Sequence, residues 1–527
     1  MRVPLPFDRR AALCVWAQAG GVAALAFSAA ACTDLFHSTD WVSFCEAHPA
    51  GLGCIESPAG SGGAGGGGAA GSSGSAGGGT GTGGSGTGGA GGGGGGGSEP
   101  TPPCSVSFGD IADQHLASMV TDASGNTLIA GSYAGLLDFG GATYTAAGGV
   151  DLFAAKLDPS CAPIWSRSIG AAANERALSV TIDSQGDLLI GGDFAGTVDF
   201  GLGPETSAGA ADIIVLKLDG ATGATAWAGA FGSTDGDSAR AIAADAQGNV
   251  LVTGDFTNTV TFGGPALVSS GASDVFVVKF SSTGAHVWSL RAGNSLSQSG
   301  SSVAADPQGN VVVSGNVQGS INFGLGSITS AGGNDIFVVK LDPAGAPLWN
   351  RGYGDENNQI GNNVAVGADG SVVLASYFEG VVNFGGGALT SPAGSNAYLA
   401  KLSGAGDHVW SKGFGSASGS QCRSVTVGAT GDVTIAGTFG GSIDFGAGPW
   451  LSAGLTDGFA ASFTSGGILR SAVQLGDAAD QAATDARVDA LGNLVVAGDF
   501  AGVVDLGGSA LISAGANDMF VARLAPP

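Results

Sequence analysis

The sequence predicts an all-β chain whose main body is a seven-bladed β-propeller of four-stranded repeats, and three observations predict it. A "DFG"-type mark recurs every 61 or 62 residues and places Phe139, Phe200, Phe262, Phe323, Phe384, Phe445 and Leu506 in one register. Each unit holds apolar runs of strand length separated by Gly turns, with no helical period. The seventh unit stops at "MFVARLAPP" without its last run, and "CSVSFG" at residues 104–109, which aligns with "WSRSIG" at 165–170, supplies it. An N-terminal strand completing the last blade closes a ring and removes exposed sheet edges.

The elements follow in chain order. Residues 1–31 read as a signal peptide: Arg9 and Arg10 precede an apolar stretch that ends in small residues instead of charged flanks. Its end, Ser28-Ala29-Ala30-Ala31-Cys32, resembles a bacterial lipobox, with Ala29 in place of the usual Leu. Cys32 is therefore the expected lipidation site, the alternative being plain cleavage after the A-x-A sequence. Export implies an oxidising compartment in which cysteines pair. Cys45 and Cys54 bracket a segment at 32–56 too short to build a core and are expected to form a disulfide, which leaves the pairing of Cys104 and Cys161 open. Cys422 occupies a repeat position held elsewhere by Leu116, Ala177, Ala239, Gly300, Gly361 and Ala483, as a small buried thiol would.

Residues 57–103 are almost wholly Gly, Ser, Ala and Thr and are expected to act as a flexible linker. A coil of this length spans roughly 35–40 Å, enough to hold a domain clear of a membrane. The propeller occupies 104–527. Within one unit "ALSVTID", "DLLIGGDF", "DIIVLKLD" and "TAWAGAFG" are the four strands, with a smaller hairpin between the second and third. Gly248-Asn249 and Gly309-Asn310 mark tight turns that need a positive φ.

The units "GNVLVTGDF…VTFGG…SDVFVVKFSSTGAHVWS" resemble the bacterial β-propeller repeat family labelled SBBP, found in exported and surface proteins. That resemblance covers the repeat region and implies the fold, not an activity.

The chain carries 18 basic against 43 acidic residues, a formal charge of −25, which disfavours nucleic acid. A basic residue ends the third run at Lys156, Lys217, Lys279, Lys340, Lys401 and Arg523, with Ser462 as the exception. This ring is expected to pair with the acid of the "VDF" mark, at Asp138, Asp199, Asp444 and Asp505, or to face an anion on the axis. The Asp that opens the third strand, from Asp151 to Asp518, is expected to bond turn amides. No cofactor is expected; the oxygen-rich loops at Asp235, Asp237, Asp355 and Glu356 are the calcium candidates, without EF-hand spacing. Tyr144 and Trp450 are the candidate ligand-stacking aromatics, at a repeat position otherwise apolar. No metal triad, Ser-His-Asp order or phosphate loop is present.

The expected protein is thus a monomeric, exported propeller, anchored to the bacterial envelope, outer membrane or surface by lipid alone or else secreted. It is expected to act as an interaction scaffold for an envelope or extracellular protein. The alternatives are a multivalent glycan-binding propeller and a hydrolase or lyase built from blade loops, a catalytic role being the less favoured. The irregular sixth unit, with Ser462 and no matching Trp, invites inspection; loss of constraint is its plain explanation.

Overall fold

The computed structural model describes residues 104–525 except 392, 507–509 and 516. The signal segment, Cys32, the Cys45–Cys54 pair and the linker lie outside the described residues. Among the described residues every regular element is a strand. Seven four-stranded antiparallel sheets form the blades, each with a small two-stranded hairpin between its second and third strands. Blade 2, for example, runs Glu175–Ile182, Leu188–Phe194, Asp212–Leu218 and Thr225–Phe231 from the axis outward. Positive φ at Gly248 (76°) and Gly309 (81°) closes the first hairpin of blades 3 and 4, as the Gly-Asn pairs predict.

Among the described residues the apolar core is divided into seven clusters, and each is shared by two consecutive blades. This is why the third strands read as nearly continuous apolar runs: both of their faces lie against a neighbour, and Asp274–Phe280 is buried throughout. The marker Phe serves the same seams, with Phe262 4.9 Å from Phe276 and Phe445 5.0 Å from Phe459. Large aromatic and aliphatic side chains each stabilise such a seam by about 1.5–3 kcal/mol.

Ring closure follows the prediction. Cys104–Phe108 pairs antiparallel with Asp518–Leu524, so the last blade is built from both ends of the repeat region. Phe108 enters the closing core with Leu116, Met119, Met519 and Val521. Cys104 and Cys161 form a disulfide.

One expectation needs correction. The repeated cation does not pair with the "VDF" acid but with the Asp of its own blade's first hairpin: Lys156 with Asp122 (3.0 Å), Lys279 with Asp245 (2.8 Å), Lys340 with Asp306 (2.9 Å), and Arg523 with Asp489. The "VDF" acids instead cap their own hairpin turns: Asp138 accepts Gly140 N–H at 2.7 Å, and Asn322 serves Gly324 N–H equally well at 2.7 Å. A neutral acceptor suffices there. That is why the acid is replaceable while the cation persists.

The cation and the repeated Trp also reach into the next blade. Lys156 and Trp165 both donate to Gly220 O, in the turn between the third and outer strands of blade 2, at 2.9 and 3.3 Å. Lys340 and Trp349 do the same at Gly404 O, and Trp288 at Pro343 O. The turn Gly lies flat against the ring it faces: a Cβ on Gly345 would come 3.0 Å from Trp288, and its φ is +87°. Blade 6 lacks this clasp. The outer strand of blade 7 comes from residues 104–108, so no hairpin joins it to the third strand. In blade 6 neither the Lys nor the Trp of the clasp is present. Ser462 and Ser471 stand in their places, Gly428 replaces the hairpin acid, and Ser462 bonds Thr434 at 3.0 Å.

Candidate functional site: the axial channel

With the lysines consumed in clasps, the surface open to a ligand on the axis is the wall of inner strands. These strands enclose a cavity of about 450 Å³ that all seven blades line. In six blades the inner strand carries a β-bulge, with register shifts between Leu116 and Ser118, Ala239 and Ala241, or Cys422 and Ser424, for example. A bulge leaves one residue unpaired and re-aims its side chain. In blade 5 the strand is interrupted outright and begins at Asn363. The residues so placed are Ala117, Leu178, Arg240, Ser301, Asn362, Arg423 and Thr484, and every one lines the channel.

The wall behind them is fixed by bonds between neighbouring inner strands. Ser302 Oγ accepts Val364 N–H at 3.1 Å and Ser424 Oγ accepts Ala486 N–H at 3.3 Å. Asp485 accepts Met119 N–H at 3.1 Å and Ser118 Oγ–H at 3.0 Å across the closing seam. The backbone frame is uniform, and the chemistry on it is not.

Charge around the axis is mostly paired. Arg176 holds Asp193 at 2.8 Å, Arg240 holds Asp255, and Arg487 lies 3.3 Å from Asp485. Asp499, 3.6 Å from His115, raises the pKa of that imidazole above its ordinary value, while the nearby Arg423 opposes the shift. Arg423 itself is exposed and makes no hydrogen bond or ion pair among the described residues. In blade 7, Thr484 Oγ1, Asp485 Oδ1 and Arg487 Nε are buried atoms without a partner.

The predicted candidates lie elsewhere. Asp237 is buried and accepts Ser233 N–H (2.6 Å) and Thr257 N–H (2.8 Å), and Asp235 accepts Asn258 Nδ2 (2.6 Å). Asp355 accepts the amides of Asn357 and Val381, both at 2.8 Å, with Glu356 exposed beside it. These are two separate blade corners, and among the described residues no three His, Cys, Asp or Glu side chains are grouped to hold a metal. Tyr144 donates to Ser166 O at 2.7 Å, and Trp450 packs edge-on to Phe445 at 5.6 Å, so both rings serve blade packing. The aspartates opening the third strands bond turn amides as expected, Asp151 to Ala147 N–H at 3.0 Å and Asp335 to Ala331 N–H at 2.7 Å. Cys422 is buried, and burial pushes its thiol well up.

Sequence reasoning missed Arg240 and Arg423. The signal was the repeat column directly after the one containing Cys422, where Ala, Leu, Arg, Ser, Asn, Arg and Thr alternate while the neighbouring columns carry no cation.

The strand pairing settles the architecture. The chain is a seven-bladed β-propeller repeat protein. No family model matches it. It is 28 % identical over 166 residues to an uncharacterized WD repeat-containing protein of Acanthamoeba polyphaga mimivirus, an alignment covering 27 % of this chain. The chain spans 12 % of that relative's length. Among solved structures it is similar to the Pan2 WD40 domain of Neurospora crassa (10 % identity, 78 % of this chain and 89 % of that one, TM-score 0.41). It is also similar to Sqt1 from Chaetomium thermophilum (11 %, 81 % and 100 %, TM-score 0.38) and to YCF48 bound to D1 peptide (11 %, 81 % and 96 %, TM-score 0.36).

Proposed function

We propose that this protein is an exported binding module of the SBBP kind, whose propeller presents its channel mouth to an envelope or extracellular protein. The observation that carries the reading is the contrast between two sets of repeat columns. Clasp residues keep their chemistry from blade to blade, whereas the residue that each bulge turns to the axis changes in almost every blade. A surface that varies on a constant frame is how repeat scaffolds are fitted to a particular partner. In this reading the sequence of residues 1–103 supplies signal, lipid anchor at Cys32 and spacer.

The test is retention of envelope and secreted proteins on the immobilised full-length chain. The reading expects a partner that is lost on exchanging Arg423 and Asn362 for Ser while thermal stability is kept. Retention unaffected by those exchanges, or binding confined to polysaccharides on a glycan array, contradicts it. Labelled palmitate is expected to incorporate and to be lost in Cys32→Ala.

A further inference from the structure

Resting on the reading of the channel mouth as the binding surface, we propose that it is an oxyanion site in which Arg423 and Arg240 receive a carboxylate or phosphate group. Three observations meet here. The chain carries more than two acidic residues for each basic one, yet the channel lining reverses the sign, with Arg240, Arg423 and Arg487 against Asp485 alone. The six cations of the repeat column are all engaged with acids, whereas Arg423, which lines the channel, has no acidic partner among the described residues. The neighbouring lining offers neutral donors, the amide of Asn362 and the hydroxyl of Ser301.

Arg240 and Arg423 belong to blades 3 and 6, three places apart in the ring of seven, and both line the channel. Arg240 is oriented by Asp255, leaving part of its donor fork to a ligand, whereas Arg423 has its whole fork available. A guanidinium offers paired N–H groups that match the two oxygens of a carboxylate or phosphate. Arg423 also opposes protonation of His115, so an anion beside it would remove that opposition and favour the imidazolium.

Calorimetric titration of the full-length chain with citrate and, separately, with inorganic phosphate tests the proposal. Saturable binding of one equivalent is expected, weakened about tenfold or more by Arg423→Gln. Arg470→Gln, which removes an outer-strand cation paired with Asp432, is expected to leave it unchanged. Binding of citrate alone assigns the site to carboxylates, and binding of phosphate alone assigns it to phosphates. Failure of both anions to saturate, or equal binding by Arg423→Gln with unchanged thermal stability, overturns the proposal. If Arg423→Ser still abolishes partner retention while neither anion binds, the binding-module reading stands and the oxyanion assignment falls.

Discussion

Cys104 and Cys161 join blade 7 to blade 1 at the place where every regular clasp sets a Trp against a Gly. Cys104 pairs with Arg523 in the register that Trp165 has with Lys156. Cys161, at φ 63°, holds the turn position that is Gly284, Gly345, Gly406 and Gly467 elsewhere. The closing seam thus exchanges both members of the Trp–Gly contact for a covalent bond.

Reduction is therefore expected to loosen this seam before the others. The bond closes a loop with a sequence separation of 57, for which chain entropy gives about 4 kcal/mol. Cys104→Ser is expected to lower the melting temperature and to abolish its dependence on reductant. Cys104→Trp combined with Cys161→Gly should recover part of the loss, because it rebuilds the contact used in the other seams. A melting temperature equal to that of Cys104→Ser contradicts this.

The Lys279–Asp245 pair is buried, and Lys279 holds the Asp245 carboxyl below its usual range although burial alone would raise it. Lys279→Ala leaves an uncompensated buried carboxylate and is expected to cost about 3–5 kcal/mol. The double variant Lys279→Ser, Asp245→Gly copies what blade 6 carries at Ser462 and Gly428 and is expected to cost clearly less than the single one. Urea unfolding of the four members of the cycle reads the difference; additive losses refute the pairing argument.

Glu175 gives a pH dependence. Gln298, Gln359 and Gln481, at the equivalent place, donate to the carbonyls of Gln318 (2.8 Å), Glu379 (2.8 Å) and Ala501 (2.9 Å). Glu175 has only oxygens to offer; its Oε1 is buried without a partner, as is Asp151 Oδ1 nearby. Burial, reinforced by Asp151 and resisted by the Ala171 N–H, pushes its pKa from 4.5 up to about 7. The folded state thus binds this proton more tightly than the unfolded chain does. Its contribution is complete below pH 4.5 and is lost as pH rises through about 7, a change on the order of 2–3 kcal/mol. Glu175→Gln is expected to be the more stable protein at pH 8 and to lose its advantage at pH 5. A stability difference from wild type that does not vary with pH counts against the assignment.

Period carried most of the fold into the sequence. Strand length, turn glycines and the misplaced fourth strand at 104–109 are local or register facts, and each is visible in one chain. Side-chain pairing between separate strands and turns was not. The cation's partner, Asp122 for Lys156, lies 34 residues upstream in another strand turn, whereas the "VDF" acid looked suitable only because it too repeats with the period. The sixth unit looked like relaxed sequence, and the structure shows that Ser462 bonds Thr434 of its own blade where the other units reach into the next one. Arg423 was hidden for a related reason: a bulge changes which face a residue occupies, so alternation along "SQCRSVTV" does not reveal that its side chain lines the axis.

The central claim is a closed ring whose first strand completes its last blade. Peptide mapping of the unreduced, fully folded chain tests it most directly. The account predicts a peptide linking Cys104 to Cys161, with Cys422 recovered as a free thiol. Recovery of Cys104 free, or joined to Cys45 or Cys54, would contradict it.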